Sequence, residues 1–390
     1  MVTLKLAFRN LIGAGLRTWL NVFVLSFTYV LIIWHQGLFS GMYKQASRDY
    51  INDEIGGGQY WAESYDPYDP LTLENSHQMI PGKLEALIKQ GQATPVLIMQ
   101  GSIYPEGRMQ SILIKGIDPA QKILDIPSHT LQSDTLDLPV MVGKSMAKKN
   151  SIHIGDIITI RWRDANGTFD AADGEIVEIM ETNVPTMDAG QLWMPIEKMR
   201  NMFDLKGEAT IITVNQKSRM PEELSGWVFR GHDYLLKDLN DMIKSKRAGG
   251  IFLYGILLFL AMLAIFDTQV LSIFRRRKEI GTLMALGMVR SRVIALFTIE
   301  GVMHGILGIA AAALYGLPLI ILSGKKGIPL PGPTEEYGFA ISTRLFPAYS
   351  PLLVGGTVLI VLITVTIVSY FPSRKIAGLK PTEALKGKLS

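Results

Sequence analysis

The sequence predicts an α-helical membrane protein with four transmembrane helices and a large α+β extracytoplasmic domain, in two lobes, between spans one and two. Three observations predict it. Four apolar runs, at 19–40, 251–274, 293–322 and 352–371, are each long enough to cross a hydrocarbon core of about 30 Å, which takes about 20 helical residues. Between the first two runs, residues 41–250 change character and carry short stretches that alternate apolar and polar residues. The short flanks at 1–18, 275–292 and 372–390 together hold fourteen Lys and Arg against two acids, Glu279 and Glu383.

Flanks so rich in cations stay in the cytoplasm. Both termini and the 275–292 loop are therefore expected inside, with 41–250 and a shorter loop at 323–351 outside, in a multi-pass protein of the cytoplasmic (inner) membrane. The first run follows Lys5, Arg9 and Arg17 as a signal peptide would, but no convincing small-x-small cleavage site follows it, and it reads as an uncleaved anchor. The net charge of +4 conceals a division: 41–250 carries 22 Lys/Arg against 29 Asp/Glu, net −7, and the rest nets +11. The basic balance thus reflects orientation and anionic membrane lipids, not nucleic acid. With no cysteine, disulfides and thiolate chemistry are excluded.

Within the insert, strand-like runs occur at 94–104, 109–117, 138–143, 156–163, 174–181 and 208–214, and helix candidates at 81–90, 143–150, 195–204 and 232–247. The Pro- and Gly-rich 323–351 reads as a loop. GGGQ at 56–59 reads as a flexible turn.

Several chemistries find no support. None of the four Gly-Lys pairs, at 82, 143, 324 and 387, has the upstream glycine of a phosphate-binding loop, so the chain does not cradle ATP itself. The six His are scattered without metal-ligand spacing, and no Gly-x-Ser-x-Gly elbow is present. The chain is expected to be a non-catalytic subunit that binds no cofactor or metal.

The informative stretch is FRRRKEIGTLMALGMVRSR at 274–292. If 279–288 is helical, Ile280, Leu283, Met284 and Met288 form one apolar stripe, with Gly287 placed to end the helix and Arg290 and Arg292 leading into the next span. Two readings stay open on physics alone: a helix lying on headgroups and held by its cations, or a docking helix whose stripe enters a groove on a cytoplasmic partner.

The continuous stretch FRRRKEIGTLMALGMVRSRVIALFTIEG resembles the motif between the second and third spans of the FtsX/MacB/LolC-type permeases, the type VII ABC transporters. That motif reads approximately RRxEIGxLxALG, with Glu-Gly in the following span. Arg276, Arg277, Glu279, Ile280, Gly281, Leu283, Ala285, Leu286, Gly287, Glu300 and Gly301 match it in order. LAFRNLIGAGLRTWLNV (6–22) is similar to the family's amphipathic N-terminal helix. FPSRKIAGLKPTEALKG (371–387) is similar to its exit motif, with Pro381, Glu383, Ala384 and Leu385 in place. GIDP (116–119), VMVGKSMAKKNSIHIGDIITI (140–160) and VPTMDAGQLWMPIEKM (184–199) look like stretches of the lipoprotein-releasing permeases LolC and LolE.

The resemblance implies a permease subunit served by a separate dimeric cytoplasmic ABC ATPase, which carries the ATP and Mg. It implies a second permease copy or a homologous permease, and mechanotransmission from the ATPase to the outer domain. The docking reading assigns ATPase coupling to Arg276, Arg277, Glu279, Ile280, Gly281, Leu283, Met284, Leu286 and Gly287. Lipoprotein or similar amphiphilic cargo is the closest match. MacB-like export and FtsX-like signalling to a cell-wall hydrolase are the alternatives.

Within the spans, Asp267, Glu300 and His304 are ionisable, a costly placement that usually reflects pairing or function. Glu300 and His304, four apart, share a face and are expected to make an interhelical contact. Gly301, Gly305, Gly308, Ala312 and Gly316 form a small-residue face suited to close helix packing. Ten of the 18 Met lie in 94–220, which reads as core filling or as an adaptable cargo surface, and YWAESYDPYDP (60–70) reads as an exposed loop.

Overall fold

The computed structural model describes residues 15–133, 136–216, 224–329 and 344–377. The chain begins with helix α1 (Leu16–Tyr50) and one wide helical turn, Ile51–Ile55. It continues through β1 (Gln59–Ala62), β2 (Gln78–Met79), α2 (Gly82–Lys89), β3 (Ala93–Ile103), β4 (Gln110–Ile117), β5 (Pro139–Gly143), α3 (Lys144–Lys149), β6 (Ile157–Arg163), β7 (Phe169–Met180) and α4 (Pro185–Gly190). Then come β8 (Gln191–Pro195), α5 (Ile196–Phe203), β9 (Glu208–Ala209), β10 (Ile211–Val214), β11 (Trp227–Arg230) and α6 (His232–Leu235). Four helices follow: α7 (Lys237–Arg275), α8 (Arg277–Ala285), α9 (Arg290–Lys326) and α10 (Pro351–Ala377).

The chain divides into two units. One comprises Met1–Tyr43, Ile243–Pro329 and Arg344–Ser390, the other Lys44–Met242 and Leu330–Thr343. Both divisions between described segments of the two units, at 43/44 and 242/243, fall inside unbroken helices, α1 and α7.

In the first unit, α1, α7, α9 and α10 are the helices long and apolar enough to cross a membrane. Their mutual faces form a core of Leu25 and Tyr29 from α1, Ala261 and Ile265 from α7, Ala312 from α9, and Val361 and Val365 from α10. Large apolar side chains such as Phe23, Phe259, Leu317 and Ile363 stay exposed, as lipid-facing positions do. Several hydroxyls within the spans are satisfied inside their own helices. Thr28, Thr357, Thr366, Ser369 and Ser373 each donate to the carbonyl four residues earlier, at 2.7–2.9 Å, whereas the buried Tyr29 hydroxyl and Thr298 hydroxyl find no partner among the described residues.

The second unit is built on a nine-stranded sheet of order β11-β1-β10-β3-β4-β8-β5-β7-β6, in which β3 also pairs with β6. That extra pairing closes β3, β4, β8, β5, β7 and β6 into a ring, while β11, β1 and β10 extend from β3 as an open sheet: two lobes that share one strand. The ring encloses Leu97, Ile114, Val140, Ile160, Trp162, Ile176 and Leu192. Strand β6 shows the alternation directly, with Ile158, Ile160 and Trp162 inward and Ile157, Thr159 and Arg161 outward. The open lobe packs Tyr60, Ile212, Val214 and Trp227 against Leu84 of α2.

Side-chain contacts hold the end of α1 and its wide turn to this sheet and to the loop after β7. The Glu54 carboxylate pairs with Lys115 at 2.8 Å, the Thr182 hydroxyl donates to Asp53 at 2.7 Å, and the Asn183 amide donates to Asp49 at 2.9 Å. Lys115 is buried beside Trp193, which makes its carboxylate partner necessary.

The structure changes several sequence expectations. The helix expected over 232–247 is a short α6 followed by α7, which carries straight on through the span. Helix α9 runs past 322 to Lys326, where Gly327, at φ +66°, supplies the left-handed residue that stops it. Residues 330–343 of the predicted loop, most of the N-terminal stretch 6–22, and the exit-motif residues Pro381, Glu383, Ala384 and Leu385 lie outside the described residues. Met99, Met141, Met146, Met180, Met187, Met194 and Met199 are core residues, whereas Met109 is exposed. YWAESYDPYDP is only partly a loop: Tyr60 and Trp61 are buried in β1, and Tyr68 is exposed. The glycines of GGGQ make a packed turn, not a flexible one. The Gly57 amide donates to the Val214 carbonyl at 2.7 Å, and a Cβ on Gly57 would meet the Gln216 backbone at 2.5 Å.

Gly57→Val is therefore expected to destabilise the sheet unit by about 2 kcal/mol and to lower its thermal midpoint by roughly 4–8 °C. Gly82→Ala, at a helix start with open space around it, should leave that midpoint unchanged. Thermal unfolding of the purified full chain, followed by circular dichroism, checks both.

Candidate functional site: the helix between spans two and three

Helix α8 has nine residues, too few to be stable alone in water. Its position is imposed by its neighbours. Helix α7 ends at Arg275 and α8 starts at Arg277, leaving Arg276 as the single hinge residue between them. The Arg276 amide donates to the Ser272 carbonyl at 3.1 Å, and the Ile280 amide donates to the Arg276 carbonyl at 3.0 Å.

The Arg276 side chain bridges α8 to span three. Its Nε donates to Glu279 Oε2 at 3.1 Å, and its Nη1 donates to Glu300 Oε2 at 3.1 Å. The guanidinium also lies over the Phe297 ring, 5.3 Å from its centroid. Glu300 is almost wholly buried and Glu279 is exposed, so the Arg276–Glu300 contact is the one shielded from solvent. Breaking such a pair from one side leaves an uncompensated buried charge, at a cost of about 3–5 kcal/mol.

Beneath the ion pair, Ile280 packs with Ile273, Val293 and Phe297, and Met284 and Met288 close the cluster. The helix ends where the Leu286 amide donates to the Thr282 carbonyl at 3.0 Å and the Gly287 amide to the Met284 carbonyl at 3.1 Å. Gly287 sits at φ +94°, a conformation that favours glycine. Extended Val289 then leads into Arg290, the first residue of α9.

This geometry reorients the stripe read from the sequence. Ile280, Met284 and Met288 face the chain's own spans and are not offered to a partner. Gly281 is buried with them. The outward surface is Lys278, Glu279, Thr282, Ala285, Leu286, Gly287 and Val289, with Leu286 80% exposed at the helix end. The side chains of Arg277 and Leu283 lie outside the described residues.

The polar span residues separate into two groups. Glu300 and His304 do share a face: the His304 Nδ1–H donates to the Glu300 carbonyl at 2.9 Å, and both are buried. Asp267 is exposed on α7. Its neighbour Thr268 reaches Asn21 of α1 at 3.3 Å, and Gln269 is buried.

The small-residue face of α9 is used within the chain. A Cβ on Gly301 would collide with Ser369 of α10, one on Gly305 would meet Leu362 at 2.9 Å, one on Gly308 would meet Leu25 at 2.9 Å, and one on Gly316 would meet Val30 at 2.7 Å. Ala312 lies in the four-helix core. This face therefore packs on spans one and four, leaving none of these positions for a seam with a second copy. Sequence reasoning missed Phe297 and Ser369. The small-xxx-small spacing of Ser369 and Ser373, both buried, was the signal for the second. Among the described residues no group of three His, Asp or Glu stands together as a metal site.

The chain is similar to several known proteins. Residues 251–381 match the FtsX-like permease C-terminal family. An uncharacterized ABC transporter permease of Methanocaldococcus jannaschii is 25% identical over 256 residues, which cover 61% of this chain and 58% of that protein. The chain thus spans less than two thirds of that relative. Among solved structures, the periplasmic region of MacB from Actinobacillus actinomycetemcomitans aligns with 47% of this chain and 91% of its own, at 12% identity and a TM-score of 0.32. The extracellular domain of the noncanonic ABC-type transporter YknZ from Gram-positive bacteria aligns with 41% and 83%, at 14% identity and a TM-score of 0.27.

The close approach of α9 and α10 sets a test. Gly301→Val should push the two helices apart and cost about 1–3 kcal/mol, read as a lower thermal midpoint in detergent. Adding Ser369→Gly to the same chain should recover much of the loss.

Proposed function

From the FtsX-like permease region that residues 251–381 form, we propose that the chain is the membrane subunit of an ABC transporter whose ATP is hydrolysed by a separate cytoplasmic ATPase dimer. The observation that carries the reading is helix α8. It is short, clamped to spans two and three by Arg276 and Ile280, and exposes Leu286 at its free end. A partner that pushes on this helix pushes on the two spans that bracket it. The cations of 275–292 favour the cytoplasmic side for the helix, and in this reading both termini lie inside and the α+β unit outside the cytoplasmic membrane.

In this reading the ATPase engages the outward surface around Leu286. Glu279, Lys278 and Thr282 form the polar rim of that contact, while Ile280, Met284 and Met288 transmit load to α7 and α9. Motion then passes along α1 and α7, whose helical backbone is unbroken at the unit boundaries. The fastening of Asp49, Asp53 and Glu54 to the sheet would transfer the α1 movement to the β-strands. A second copy or a homologous permease completes the complex.

The cargo we propose is a lipoprotein or similar amphiphile released from the outer leaflet. It is supported by the likeness of 116–119, 140–160 and 184–199 to the lipoprotein-releasing permeases. Tagged chain solubilised from its native membrane in mild detergent, with its companions identified by mass spectrometry, tests the proposal. An ATPase with acylated proteins is the expected result. An ATPase with an adaptor or a cell-wall hydrolase would replace the cargo with export or signalling, and no ATPase would overturn the permease reading.

Leu286→Asp is expected to reduce recovery of the ATPase by about tenfold or more, a loss of about 1.4 kcal/mol for each factor of ten, while membrane insertion stays at the wild-type level. Recruitment that survives this change would mean that Leu286 lies against lipid.

A further inference from the structure

At one end of the four-helix unit, an open cleft of about 470 Å³ lies between α1, α7 and α10. Its lining comes from the ends of three apolar runs. Ser40 closes the first, Ile251 opens the second and Leu352 opens the fourth. The cleft therefore sits at the depth where hydrocarbon gives way to headgroups.

The lining is amphipathic in a definite way. On α7, Arg247, Ile251 and Tyr254 follow i, i+4, i+7 spacing and share one face. Arg247 is exposed at the mouth. Phe39, Ile251, Leu352 and Leu353 supply apolar walls, with Ile251 and Leu352 more than half exposed. Gln36, Ser40 and Ser350 add neutral hydrogen-bonding groups, and none of the lining residues is acidic. One wall is fixed in place. The Tyr254 hydroxyl and His35 Nδ1 are hydrogen-bonded at 2.9 Å, with their rings edge to face, and a Cβ on Gly250 would already stand 3.3 Å from both side chains.

We infer that this cleft is a binding site for an anionic glycerophospholipid of the surrounding bilayer, with the phosphate held by Arg247 and the upper acyl methylenes laid over Phe39, Ile251, Leu352 and Leu353. Arginine suits the role because its planar guanidinium takes two phosphate oxygens at once. Exposed Ile251 and Leu352 favour a lipid over a free anion, because a soluble phosphate would cover neither. The inference rests on the membrane placement of the four helices and is independent of the ATPase and of the cargo.

The test uses the full chain, purified and stripped of lipid, with phosphatidylglycerol and phosphatidylcholine added at equal concentration and retention read by native mass spectrometry. Wild-type protein is expected to retain phosphatidylglycerol preferentially. Arg247→Gln should lose about tenfold of that preference, the scale of one charge-assisted contact, and Arg247→Lys should keep part of it. Leu353→Trp, which fills the cleft, should lower retention of both lipids. Arg275→Gln, at the opposite end of α7, should behave as wild type, and circular dichroism confirms that each variant is folded. Undiminished phosphatidylglycerol preference in Arg247→Gln, an equal loss in Arg275→Gln, or complete displacement by inorganic phosphate would each overturn the assignment.

Discussion

The contact between Arg276 and Glu300 is the constraint on which the placement of α8 against the spans depends. One guanidinium closes the gap between the end of α7, the first turn of α8 and the buried carboxylate of α9. Without it, a nine-residue helix would be held only by its chain ends and the apolar packing of Ile280, Met284 and Met288, and Glu300 would be a charge buried without its partner. With it, α8 has one fixed orientation, Ile280 inward and Leu286 outward. The side it offers to any partner is thereby determined.

The same economy runs through the spans. Lipid offers no hydrophobic drive for helices to associate, so contact must come from close packing. Gly301, Gly305, Gly308 and Gly316 let α9 approach its neighbours to distances a larger side chain would forbid, and Ser369 fills the space opposite Gly301. In the sheet unit, helix attachment has a different solution. Glu54 and Lys115, Asp53 and Thr182, and Asp49 and Asn183 pin the end of α1 to strands and loops distant in sequence. Polar fastenings are affordable there because each is paired.

Much of this architecture was legible in the sequence because it follows from periodicity. The spans stand out by length and apolarity, and β6 by its strict alternation. Strands β1 and β8, in which every residue is buried, escaped notice, though β5 and β10 are as fully buried and were found. A strand covered on both faces has no alternation to detect. The stripe on α8 was legible as a stripe, but its direction was not. Lipid, a partner groove and the chain's own spans are all apolar, so hydrophobic spacing alone does not choose among them. The pairing of Arg276 with Glu300 was likewise out of reach, since 24 residues and a helix reversal separate them. The methionines read as core filling or as an adaptable surface; Met99, Met141, Met146, Met180, Met187, Met194 and Met199 pack in the ring and its flanks, and Met109 is exposed.

The most direct measurement of the central claim is a double-mutant cycle on Arg276→Met and Glu300→Leu, read by amide hydrogen exchange across residues 277–286. Each single change strands a charge and should speed exchange in α8. The pair together removes both charges and should return exchange close to the wild-type rate, with a coupling of about 0.5–3 kcal/mol. Additive effects, or single variants with wild-type exchange, would contradict the view that this ion pair holds the helix in place.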